Sequence, residues 1–147
     1  MSEPLYLDDL AVGQRFQAGP LEVTAADIVA YARAFDPQPF HLDEEAAKQT
    51  FFGGLAASGW HTASLTMRMI VEAMPMGWGV IGTGGEINWP RPTRPGDRLR
   101  VECEVLEITP SRSRPDRGMA TVKTTTLNQH DEPVQVLVTK VVVPRRG

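Results

Sequence analysis

Between Thr24 and Phe35 apolar residues recur at spacings of three and four, with Ile28, Tyr31, Ala32 and Phe35 on one stripe, which predicts a helix with one buried face. Thr24 and Asp27 form a capping-box-like pair at its start. Asp36-Pro37-Gln38-Pro39 stops it, because a residue before a proline is pushed toward extended geometry, and a stiff loop should follow. Asp43 reads as the N-cap of a short helix over 44–49, acidic in its first turn where the helix dipole favours negative charge. Phe51-Phe52-Gly53-Gly54 ends that helix.

Residues 57–74 read as one long helix, capped near Ser58 and mostly apolar or small around its circumference apart from Arg68 and Glu72. Such a helix must be nearly surrounded. Beyond Pro75 and Gly77 the period changes to two: Leu99, Val101, Cys103 and Val105 alternate with Arg98, Arg100, Glu102 and Glu104, as in a half-buried strand. Residues 119–127 and 134–143, rich in threonine and valine, predict two more strands joined by a polar turn at 128–133. Pro95-Gly96-Asp97 is expected to make a hairpin between an 80–89 strand and the Leu99 strand, and 109–118 to be a loop. One long helix and about four antiparallel strands imply an α+β fold, a curved sheet wrapped around the helix. Its edges and the helix ends then call for a second copy, so a homodimer is expected.

At 147 residues, 41% of them hydrophobic, the chain has the size of a single domain, 1–147. A net charge of −3 offers no positive field for a polyanion, so nucleic acid is a poor partner. One cysteine, Cys103, permits no internal disulfide. No run reaches the roughly 18 apolar residues of a membrane helix, and the acidic, proline-bearing start does not resemble a signal peptide. A cytoplasmic location is expected, with no membrane partner.

Three segments carry a resemblance: Phe35-Asp36-Pro37-Gln38-Pro39-Phe40-His41-Leu42-Asp43, Phe52-Gly53-Gly54-Leu55-Ala56-Ala57-Ser58-Gly59, and Arg91-Pro92-Thr93-Arg94-Pro95-Gly96-Asp97. Together they resemble the MaoC-like dehydratase family, which includes the (R)-specific enoyl-CoA hydratases. The resemblance implies a hotdog fold, a dimer with its sites between subunits, and reversible addition of water to a trans-2-enoyl thioester of coenzyme A. It places Asp36 and His41 at the catalytic positions. No separate cofactor is implied, coenzyme A being part of the substrate. The chain departs from the usual (R)-hydratase pattern at Gln38, where asparagine is typical, at Ser58, where histidine is typical, and at Met67, where a serine is expected.

The chemistry accounts for these residue types, since hydration needs one group to take a proton from water and another to return one to the α-carbon. Fully extended, the five residues from Asp36 to His41 would span roughly 17 Å, so the proline segment must bend to let the pair share a water. The thioester oxygen gains charge and needs a donor. Gly59, opening the buried helix, offers its N–H there, and Ser58 caps or lines the site. Without the resemblance, Asp36 reads as a helix terminator or turn residue, His41 as a surface residue or one with its hydrogen bonds satisfied, and Ser58-Gly59 as ordinary helix-start chemistry.

His61 is expected to pack or hydrogen-bond, and His130 to lie in an exposed turn; three separated histidines predict no metal site. Gly77-Trp78-Gly79-Val80-Ile81-Gly82 fits GxGxxG but lies between a helix and a strand, the reverse of a dinucleotide loop. Arg91, Arg94, Arg112 and Arg114 have the chemistry to meet coenzyme A phosphates but read equally as solvated loop residues. Two alternatives stand beside the hydratase: a hotdog acyl-CoA thioesterase, in which the carboxylate directs water at the carbonyl carbon, and a non-catalytic acyl-CoA-binding protein.

Overall fold

The period-two alternation becomes the inner face of a sheet. In the computed structural model, which describes residues 3–147, strand β3 (Arg98–Pro110) buries Leu99, Val101, Cys103 and Val105 and sets its charged residues on the opposite face. Strand β4 (Arg117–Leu127) pairs with it antiparallel, with Val101 opposite Thr126 and Val105 opposite Val122. Strand β5 (Pro133–Pro144) follows through a polar turn in which Asn128 accepts from the His130 and Glu132 amides and Asp131 takes a positive φ of 58°.

Two further strands complete an antiparallel sheet of order β1-β3-β4-β5-β2. Strand β1 (Arg15–Glu22) lies along β3, and β2 (Ile81–Asn88) lies along β5. The first of these was not expected from the sequence. Its alternation of Phe16, Ala18 and Leu21 is broken by a register shift across Gly19-Pro20, where φ at Gly19 is +109° and a Cβ would lie 2.8 Å from the Leu99 oxygen. The expected hairpin at 95–97 is also wrong, because β2 and β3 sit at different places in the sheet and do not pair. The connection between them is too long and proline-rich for a tight hairpin. Its backbone is tied instead to Ala57 and Val23, through Ala57 N to Thr93 O and Gly96 N to Val23 O. The loop expected over 109–118 shrinks to 111–116, since β3 continues to Pro110 and β4 begins at Arg117.

The helices follow the sequence more closely. Helix α1 (Ala25–Phe35) starts with Thr24 accepting from the Asp27 amide. Pro39, at the first helical position, opens one turn, α2 (Pro39–Leu42), where a loop was expected; its missing N–H costs nothing there. Asp43 caps α3 (Glu44–Ala47), which stops short of Gln49. Helix α4 (Gly59–Ala73), capped by Ser58, crosses the inner face of the sheet against β1, β3 and β5. Thr62, Thr66, Met69 and Ile70 form its buried face. Each fully buried aliphatic side chain contributes roughly 1.5–3 kcal/mol, so packing on the sheet rather than intrinsic propensity holds α4.

Within one chain α4 is not surrounded: Trp60, Met67, Arg68, Val71 and Glu72 remain exposed, because a single sheet covers only one side of a helix. Among the described residues no helix is long and apolar enough to cross a membrane.

Candidate active site

The bend required between Asp36 and His41 is made by chain reversal at the end of α1. Asp36 is the C-cap of α1, with its N–H on Ala32 O at 2.8 Å. Gln38 N returns to Asp36 O at 2.8 Å, and the single turn of α2 then swings His41 back. The result is direct contact: His41 Nε2 lies 3.3 Å from Asp36 Oδ2.

The other face of the imidazole is fixed as well. His41 Nδ1 lies 2.6 Å from Ala56 O. A carbonyl only accepts, so Nδ1 carries a hydrogen and Nε2 is the atom presented to Asp36. The ring is buried, edge-on to Phe40 with centroids 4.6 Å apart and near Phe52 at 6.2 Å.

Burial would raise the Asp36 carboxyl, but hydrogen bonds from Ser58 and Gln38 and the charge of His41 outweigh it, holding the group below the usual carboxylate range. Gln38, noted in the sequence only as a departure, donates its amide N–H to Asp36 Oδ1. Ser58 is fully buried, accepts from the Trp60 amide at 3.2 Å, and so serves both the helix cap and the carboxylate.

Gly59 and His41 line the same cleft of about 440 Å³, together with Phe52, Thr62, Trp89 and Thr93. A Cβ on Gly59 would fall 2.8 Å from the Trp89 indole, which is itself tied to buried Gln135 by a 2.9 Å bond from its Nε1. The absent side chain therefore lets Trp89 lie over the start of α4, where Ser58 takes the Trp60, His61 and Thr62 amides and the Gly59 N–H has no acceptor among the described residues. The four residues singled out in the sequence, Asp36, His41, Ser58 and Gly59, thus form one constellation. A carboxylate, an imidazole and a helix amino terminus lie side by side, an arrangement suited to proton transfer beside developing negative charge.

Most of the remaining candidates lie elsewhere. His61 is buried and stacked on Tyr31, centroids 4.6 Å apart, in a separate hollow with Asp27 and Arg68, while His130 is exposed. Met67 borders a second, apolar cavity with Ile70, Met74 and Val141. Arg112 and Arg114 are exposed in the β3–β4 loop, and Arg91 borders the cleft and pairs with Glu132 at 3.5 Å. Arg94 binds backbone carbonyls, a role that residue type alone does not reveal. Among the described residues no group of three or more His, Cys, Asp or Glu is placed to hold a metal.

Residues 9–128 match the family model described as MaoC like domain. A MaoC-like dehydratase from Rhodospirillum rubrum, known from its crystal structure, is 60% identical, with a TM-score of 0.95 over 97% of this chain and 99% of that one. The R-hydratase PhaJ1 from Pseudomonas aeruginosa is 28% identical, with a TM-score of 0.78 over 97% of this chain and 88% of that one. A 3-hydroxybutyryl-CoA dehydratase of Methylorubrum extorquens is 35% identical over 111 residues, 75% of this chain and 69% of that protein. With a five-stranded antiparallel sheet laid across one long helix, the fold is the α+β hotdog, and the chain belongs to the MaoC-like dehydratase family.

Proposed function

We propose that this protein is an (R)-specific enoyl-CoA hydratase, adding water reversibly to a trans-2-enoyl-CoA thioester, with Asp36 and His41 as its catalytic residues. The observation that carries this reading is the 3.3 Å contact between Asp36 and His41, whose ring borders the cleft at Gly59. The hydratase and dehydratase relatives support the reaction class.

In this mechanism a water sits against both groups, over the β-carbon. Asp36, ionised, takes a proton from the water as its oxygen bonds to the β-carbon. The electrons of the carbon–carbon double bond move toward the thioester, whose oxygen gains enolate charge. The Gly59 N–H and the positive end of the α4 dipole meet that charge. Asp36 passes the water's proton across their contact to His41 Nε2, which is free to receive it because Nδ1 already carries a hydrogen, and Nε2–H then protonates the α-carbon, returning both groups to their starting state. Dehydration is the same path reversed.

The acyl-CoA substrate is the small-molecule partner in this reading. The exposed apolar side of α4 is covered by a second copy in a homodimer.

Crotonyl-CoA tests the reaction. Loss of its enoyl absorbance without thiol release, yielding (R)-3-hydroxybutyryl-CoA on chiral chromatography, is the expected result. Thiol release would instead identify a thioesterase, and no change in either signal a non-catalytic binder.

A further inference from the structure

The segment Arg91-Pro92-Thr93-Arg94-Pro95-Gly96-Asp97 contributes no proton and no oxyanion donor, yet it grips the stretch of chain that holds the imidazole. The Arg94 guanidinium donates to three carbonyls: Nη1 to Gly54 O at 3.1 Å and Leu55 O at 3.2 Å, and Nη2 to Phe52 O at 2.5 Å. One residue beyond Ala56, the Ala57 amide donates to Thr93 O at 2.9 Å. Ala56 is thereby pinned on both sides, and it supplies the hydrogen bond from this stretch to His41. Its oxygen accepts from Nδ1, and its amide donates to Phe40 O at 3.0 Å. Arg94 is itself anchored, its amide on Asp97 Oδ2 at 2.8 Å, with buried Asp97 held in turn by Gln129 at 3.0 Å.

We infer that Arg94 is a positioning residue: by fastening the Phe52–Leu55 carbonyls it fixes the Ala56 oxygen, and so the tautomer and aim of His41. A lysine cannot substitute, because only the planar guanidinium presents several donors in a fixed fork able to reach three carbonyls together. The catalytic meaning of this role rests on the hydratase reading; the geometric claim about His41 does not.

Long-range 15N–1H correlation of the imidazoles at pH 8 reads the tautomers directly, with His41→Ala identifying the His41 signals. Wild type should show His41 as a single Nδ1–H tautomer. Arg94→Lys and Arg94→Ala should show averaging between tautomers. Their kcat on crotonyl-CoA should fall about tenfold or more at little changed KM. Ethylguanidinium, but not ethylammonium, should restore both signals in Arg94→Ala. An unshifted His41 tautomer in a folded variant overturns the inference. Failure of both variants to fold also overturns it, since Arg94 would then hold the structure rather than the ring. A tautomer that follows Arg94 in a protein inactive on crotonyl-CoA upholds the positioning role and removes the hydratase reading instead.

Discussion

A carboxylate at the end of α1 faces the negative end of that helix's dipole, an unfavourable place for it. Donors from Gln38 and Ser58 and the adjacent imidazole more than compensate, so Asp36 stays ionised. The identities of Asp36 and His41 were legible in the sequence because the whole proline-bearing segment carried them. The partners that orient them were not: Ala56 acts through its carbonyl, which every residue has, and Arg94 through a fold contact 42 positions away at Phe52. His61 is a contrasting case. Its Nδ1 is buried with no partner among the described residues, and burial lowers its pKa against a raising effect of Asp27. As pH falls below about 6.5 the unfolded chain takes up a proton at this residue before the folded chain does. The stability it contributes is therefore full above that pH and declines as pH drops toward the folded value. His61→Phe keeps a ring against Tyr31 and removes the orphan nitrogen. Denaturant unfolding at pH 5.5 and 7.5 should show the variant about 1 kcal/mol more stable at the lower pH, with a weaker pH dependence than wild type. Equal pH dependence in the two proteins would refute this account of His61.

At the level of elements, strong local signals succeeded, the β4–β5 hairpin among them, and the pairing of β2 did not. Thr24, Asp43 and Ser58 each announced a helix start, because a cap is a contact within three residues. Strand partners are set by the whole sheet, so β2 was assigned to the neighbour next in sequence rather than to β5. Strand β1 was hidden by the Gly19-Pro20 interruption. One glycine of β2, Gly85, has a packing reason that sequence alone does not expose. At Gly85 a Cβ would fall 2.1 Å from the Val138 carbonyl oxygen on β5. Gly85→Ala must push the two strands apart, and a loss of about 2 kcal/mol or more in thermal or denaturant unfolding is expected. Gly82→Ala, with open space around it, should cost much less; equal losses would contradict the close-approach argument.

For the molecule as a whole, the α+β layout followed from one long apolar helix and about four antiparallel strands, whereas the near-enclosure expected for that helix is not met within one chain, where one side of α4 stays exposed. Trp60 is 59% exposed, Val71 50% and Met67 42%, with Ile81 of β2 at 42%, more apolar surface than isolated side chains explain. Sedimentation equilibrium should give about twice 16.2 kDa, and Val71→Glu should lower the association constant; a wild-type monomer at micromolar concentration would refute the homodimer. The central claim concerns the two side chains that meet at the mouth of α4. Its most direct test is the steady-state kcat for crotonyl-CoA hydration by wild type, Asp36→Asn and His41→Ala, each verified as folded. The mechanism predicts a fall of at least about a hundredfold in each variant. Turnover near the wild-type rate in either one would show that its side chain does not carry the proton assigned to it.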